Sequence, residues 1–92
     1  MRILNMKTDR LGPNAVRVDR ATHWGNPFTI GKHGSREEVI ELYRKHLWQR
    51  LASGDLDKRQ LQALQGRDLA CWCRPQRCHA EVIRNAVRWA CR

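Results

Sequence analysis

With 92 residues, 41% of them hydrophobic, the chain has material for one modest core and not for two, so a single domain over 1–92 is expected and its motifs should meet at one site. Eighteen Lys and Arg against nine Asp and Glu leave a formal charge of +9, which disfavours basic partners. It points instead to nucleic acid, a nucleotide or an acidic protein surface, because every cation except Lys7, Lys32, Lys45 and Lys58 is an arginine, whose planar fork suits phosphate.

No segment approaches the roughly 18 apolar residues of a membrane span. The opening MRILNMKTDRLG is broken by Asn5, Lys7, Asp9 and Arg10, unlike a secretory leader. No membrane partner is expected, and a cytoplasmic location follows, in which the cysteines are thiols available for metal or reactivity.

The pattern predicts a small α/β domain with a sheet of about three strands and about three helices. Strands are expected at Arg2 to Met6 and Ala15 to Asp19, around the turn Gly12-Pro13-Asn14. Thr22 to Gly34, containing Trp24-Gly25-Asn26-Pro27-Phe28, carries too many breakers for a regular element. Ser35-Arg36-Glu37-Glu38 is a capping box, and Val39, Ile40, Tyr43, Leu47 and Leu51 recur at helical spacing until Ser53-Gly54. Asp57 to Gln60 opens a short helix through Leu61 and Leu64. Asp68-Leu69-Ala70-Cys71-Trp72-Cys73 reads as a buried strand that stops at Arg74-Pro75. A last helix from about His79 carries Val82, Ile83, Ala86, Val87 and Ala90, with Arg84, Arg88 and Arg92 as a ridge at spacing four that suits nucleic-acid phosphates.

Strand, loop and helix start meet at Cys71 to His79, a junction that α/β proteins place at the carboxyl edge of the sheet. Alternation puts the thiols of Cys71 and Cys73 on one face and the Trp72 indole on the other. With Cys78 and His79 they make a Cys3His set, the composition of a structural zinc site, and zinc is the expected cofactor. The adjacency of Cys78 and His79 requires a distorted helix start if both are to hold one ion, and His23 is a substitute if its loop folds over the strand end. The alternative is a reactive Cys78 thiolate at the helix N-terminus, assisted by Arg74 or Arg77, with His79 as acid or base. His79-Ala80-Glu81 is not the H-x-E of a zinc deaminase, whose cysteines follow that element, whereas here they precede it. Cys91 lies outside the cluster and reads as structural.

Val16-Arg17-Val18-Asp19-Arg20, WGNPF at Trp24 to Phe28, the capped helix from Gly34, Leu64, Gly66, Leu69 and the CWC-x-P-x-x-CH run ending at His79 resemble the domain-of-unknown-function family numbered 4326. The resemblance spans nearly the whole chain. It implies a bacterial or phage protein with no settled activity, and it favours His79 over His23, since family members often carry another polar residue at the latter position. Members usually have Gly after the Cys-His pair, where this chain has Ala80.

One pocket is expected from these residues. Trp24 stacks on a planar group, Gly25 allows close backbone approach, Asn26 donates and accepts, and Arg20, Arg36, Arg74 and Arg77 supply charge. The leading expectation is a zinc-stabilised module that binds nucleic acid or a nucleotide. The alternatives are an enzyme acting on a nucleotide or nucleobase through Cys78 and His79, and a phage-encoded inhibitor of a host protein.

Overall fold

A computed structural model describes residues 1–72 and 77–92. The elements run β1 (Ile3–Asn5), β2 (Ala15–Arg17), α1 (Arg36–Ser53), α2 (Lys58–Gln62), β3 (Asp68–Cys71) and α3 (Ala80–Ala90). The small α/β architecture of three strands and three helices is thus the one the sequence pattern predicts.

All strand pairing is parallel, with β3 in the middle of the order β1-β3-β2. A central parallel strand must be covered on both faces, which is why Leu69 and Ala70 are wholly buried. The register aligns Ile3, Leu69 and Val16 across the sheet, and Asn5 with Cys71. That row continues into a single cluster with Val18, Tyr43 and Leu47 of α1, Leu61 of α2, and Ile83 and Val87 of α3.

Both predicted caps form. The Ser35 hydroxyl accepts from the Glu38 N–H while the Glu38 carboxylate accepts from the Ser35 N–H, and Asp57 and Gln60 repeat the device on α2. Gly54 ends α1 in the left-handed conformation, with φ of 84°. β3 is shorter than expected, ending at Cys71 instead of Cys73. Flanking strands explain where it stops: β1 and β2 make their last bonds to it at the Cys71 carbonyl, from the Met6 N–H, and at the Ala70 carbonyl, from the Val18 N–H. Beyond that row Trp72 has no strand to pair with and turns its indole outward, 55% exposed.

Candidate functional site

The carboxyl ends of β2 and β3 and the starts of α1 and α3 enclose a cavity of about 420 Å³. Its wall carries three guanidinium groups (Arg20, Arg36, Arg77), the aromatic rings of Phe28 and Trp72, and the apolar side chain of Ile30. Cys71, Cys78 and His79 form the inner end.

Trp72 is held at this wall by one bond, its indole N–H donating to Asp19 Oδ2 at 2.9 Å. Asp19 is itself fixed by Arg17, whose Nε and Nη2 donate to its two carboxylate oxygens at 3.1 and 2.6 Å. The Arg17 hydrogen bonds hold the Asp19 carboxyl below its ordinary range against the opposing effect of burial, with the Trp72 N–H adding to the same side. The carboxylate therefore stays ionised and the indole stays oriented. Both stand in the Val16 to Arg20 run that carries the family resemblance, but neither is among the site residues expected from the sequence. Arg17 and Asp19 at spacing two on a strand, hence on one face, are the signal that could have found them.

The WGNPF segment is wired to its own chain. Trp24 is 5% exposed, packed in the core, and its carbonyl accepts the buried Tyr43 hydroxyl at 2.8 Å. Burial raises the Tyr43 hydroxyl far above the usual tyrosine range, so it remains a donor. Gly25 does permit a close approach, but of the chain to itself: a Cβ there would stand 2.6 Å from Arg20 Cα and 2.8 Å from the Asp19 carbonyl. Asn26 donates to the Val39 carbonyl and accepts from the Phe28 N–H. Arg20 donates to the carbonyls of Asn26 and Phe28 and to the Thr29 hydroxyl, bracing the loop that forms the cavity rim. Arg36 donates to the Arg77 carbonyl at 3.0 Å, and Arg77 pairs with Glu37 and Glu81.

His79, 7% exposed, directs Nε2 to the Val18 carbonyl, with Tyr43 edge-on at 4.8 Å between ring centroids. Burial lowers its pKa, opposed by the hydrogen bond to Val18 and assisted by the Arg20 charge, so the ring is the neutral N–H donor. This binding to the sheet leaves the start of α3 without a side-chain cap. His23 lies on a separate surface, beside Arg50 and Asp55.

Cys71 and Cys78 bring their sulfurs to 3.0 Å, across the end of β3 and the start of α3. Thiolates about 2.3 Å from one tetrahedral zinc stand about 3.8 Å apart, so a small opening of this pair suits the ion. The two thiols fit a zinc site. His79, with its Nε2 donating to Val18, has only Nδ1 for a metal, and an Nε2 bond to a backbone carbonyl is the usual support of an imidazole that ligates through its other nitrogen. Cys73 and Arg74, also expected at this site, lie outside the described residues, among which no group of three or more potential ligands gathers. At 1% and 4% exposure, Cys71 and Cys78 are sited as interior groups rather than as solvent-facing nucleophiles. Arg84, Arg88 and Arg92 line neither the cavity nor the thiol corner; Arg88 and Arg92 are exposed, while Arg84 is half-buried.

The model of the domain of unknown function DUF4326 matches residues 2–89. The chain belongs to this family. A 12.4 kDa protein of Enterobacteria phage T4, encoded in the nrdA-td intergenic region, is 42% identical to it over 73 residues, covering 78% of this chain and 66% of the phage protein. No solved structure matches the chain. The DUF4326 domain seen here is thus a three-stranded parallel sheet whose carboxyl edge holds the WGNPF loop, the corner of Cys71, Cys78 and His79, and the cavity between them. Among its described residues no helix is long and apolar enough to cross a membrane.

Proposed function

We propose that the chain binds a nucleotide in the cavity at the carboxyl edge of its sheet, with the base on Trp72 and the phosphates toward Arg36 and Arg77. The observation that carries this reading is the half-exposed Trp72, oriented by Asp19 on the wall of a cavity that also presents three guanidinium groups. An indole fixed by a hydrogen bond offers a stacking face at low entropic cost, and a volume of about 420 Å³ lies in the range of small-molecule sites. The acids that pair with Arg77 do not preclude phosphate: in the Glu37 pair both side chains are more than half exposed, and such pairs are worth less than about 1 kcal/mol.

In this reading the thiols of Cys71, Cys73 and Cys78, with His79, hold zinc as a clip that fixes the strand end to α3, outside the binding step, and the protein works in the host cytoplasm if phage-encoded. Isothermal titration with ATP, GTP, CTP and UTP tests the binding. At least one is expected to bind, more weakly as salt rises, and Trp72→Ala is expected to lose about 5- to 150-fold, from the roughly 1–3 kcal/mol of base stacking. No heat with any of the four at millimolar concentration and low salt would remove the proposal.

A further inference from the structure

At the other end of the same helices lies a second aromatic and basic surface. Trp48 of α1 is about 18 Å along the axis from Arg36, and Trp89 of α3 about 15 Å from His79, at 1.5 Å per residue. Their rings meet edge to face at 80°, with centroids 4.8 Å apart. The ammonium of Lys58, the first residue of α2, sits 5.0 Å above the Trp89 ring. Trp89 is 38% exposed and Trp48 half-buried. Lys45 precedes Trp48 by one turn and Arg92 follows Trp89 by one turn, both exposed.

Five of the described cations are engaged by acids, and those of this face are not among them. Arg2, Arg17, Arg44, Arg50 and Arg77 all pair with carboxylates. Among the described residues, Lys45, Lys58 and Arg92 make no ion pair, so their charge is available to a ligand. The acid next to Lys58, Asp57, accepts the Arg59 N–H as the cap of α2. The exposed part of the indole pair offers a face on which a planar group can stack.

We infer that this face docks single-stranded nucleic acid, its phosphates on Lys45, Lys58 and Arg92 and a base on Trp89. A phosphate draws the Lys58 ammonium off the indole, and the uncovered ring accepts the base in its place. A duplex hides its base faces and offers phosphate alone, so the aromatic component selects the single strand. Because the surface is separate from the cavity, this inference stands or falls without the nucleotide reading.

Fluorescence anisotropy of a labelled dT12 tests it. Binding is expected at 50 mM salt, with Trp89→Ala costing about 5- to 150-fold. Lys58→Gln should weaken binding and reduce the slope of log affinity against log salt by about 1, whereas Lys7→Gln, the same charge change in the loop after β1, should leave both nearly as they were. Trp89→Phe keeps a ring against Trp48 should the alanine variant unfold, and it is expected to retain most of the affinity. Saturating ATP should not displace dT12. Absence of binding, equal effects of the Lys7 and Lys58 changes, displacement by ATP, or equal competition by polyglutamate of matched charge would each overturn the inference, the last in favour of an acidic protein partner.

Discussion

Removing the Asp19 side chain separates an oriented Trp72 from one that merely lies nearby. Asp19→Ala deletes the acceptor 2.9 Å from the indole N–H and leaves the ring in place. Fixing one loose side chain on binding costs about 0.5–1.5 kcal/mol, so nucleotide affinity should fall about 2- to 10-fold. The electrostatic effect has the opposite sign: taking a carboxylate from the wall of a site for an anion should strengthen binding. A loss therefore reports orientation and not charge. In the Trp72→Ala background the orientation effect has nothing to act on, so the same Asp19→Ala change should there be neutral or improve binding, giving a coupling of about 0.5–1.5 kcal/mol in a double-mutant cycle. Titration calorimetry with whichever of ATP, GTP, CTP or UTP binds most tightly measures all four corners. Urea unfolding of each variant checks that loss of the Arg17 pair, in which the arginine is half-exposed and the aspartate 11% exposed, has not taken the fold with it. An equal loss from Asp19→Ala in both backgrounds would refute the platform.

Further outcomes follow from the same geometry. Gly25→Ala places a methyl against the backbone of Asp19 and Arg20 and should cost about 1–3 kcal/mol in urea unfolding, where a glycine needed only for loop flexibility would show little change. Tyr43→Phe leaves the Trp24 carbonyl without its buried donor and should cost about 1–3 kcal/mol by the same measurement. If zinc occupies the thiol corner, elemental analysis should find it lost in Cys78→Ser; loss in His79→Gln as well would make His79 a ligand through Nδ1, and retention there would limit the ligands to the thiols. The lowered Asp19 pKa implies more protons bound in the unfolded chain than in the folded one at acid pH, so stability rises with pH there. This contribution is complete above the ordinary carboxyl value of about 3.8 and is lost as pH falls through the folded value, and Trp72 should be released with it. Comparing acid unfolding of the wild type with Asp19→Asn checks this, since the variant should lack that component.

What could be read from the chain beforehand depended on how far apart the interacting residues are. The caps at Ser35 and Asp57 are closed within four residues, so sequence spacing alone predicts them. The core face of α3 is equally local, since Val82, Ile83, Ala86, Val87 and Ala90 share one side of one helix and are all buried. The WGNPF loop behaves differently. Its residue types are those of a ligand site, and its position near the sheet edge was foreseeable, but Trp24 and Asn26 spend their polar contacts on Tyr43 and Val39. Such partners are fixed by the turn of the whole chain, and no local pattern announces them. The same holds for His79, whose partner Val18 is 61 positions away.

That distance also shows how two neighbours at one helix start reach two different strands. The imidazole follows Cys78 by one position, yet its Nε2 bonds to the end of β2, while the Cys78 sulfur meets the end of β3. One helix start thereby anchors two neighbouring strands at their carboxyl ends, and Tyr43 from α1 ties the following loop to the same point. The cavity forms above this anchored corner because three parallel strands stop in nearly one row and Arg20 holds the WGNPF loop away from them. A rigid floor of buried, mutually satisfied groups under a rim of exposed Trp72 and Arg77 separates the residues that set the shape from those that meet a ligand. Substitutions in the floor should therefore appear first in stability, and substitutions on the rim first in binding.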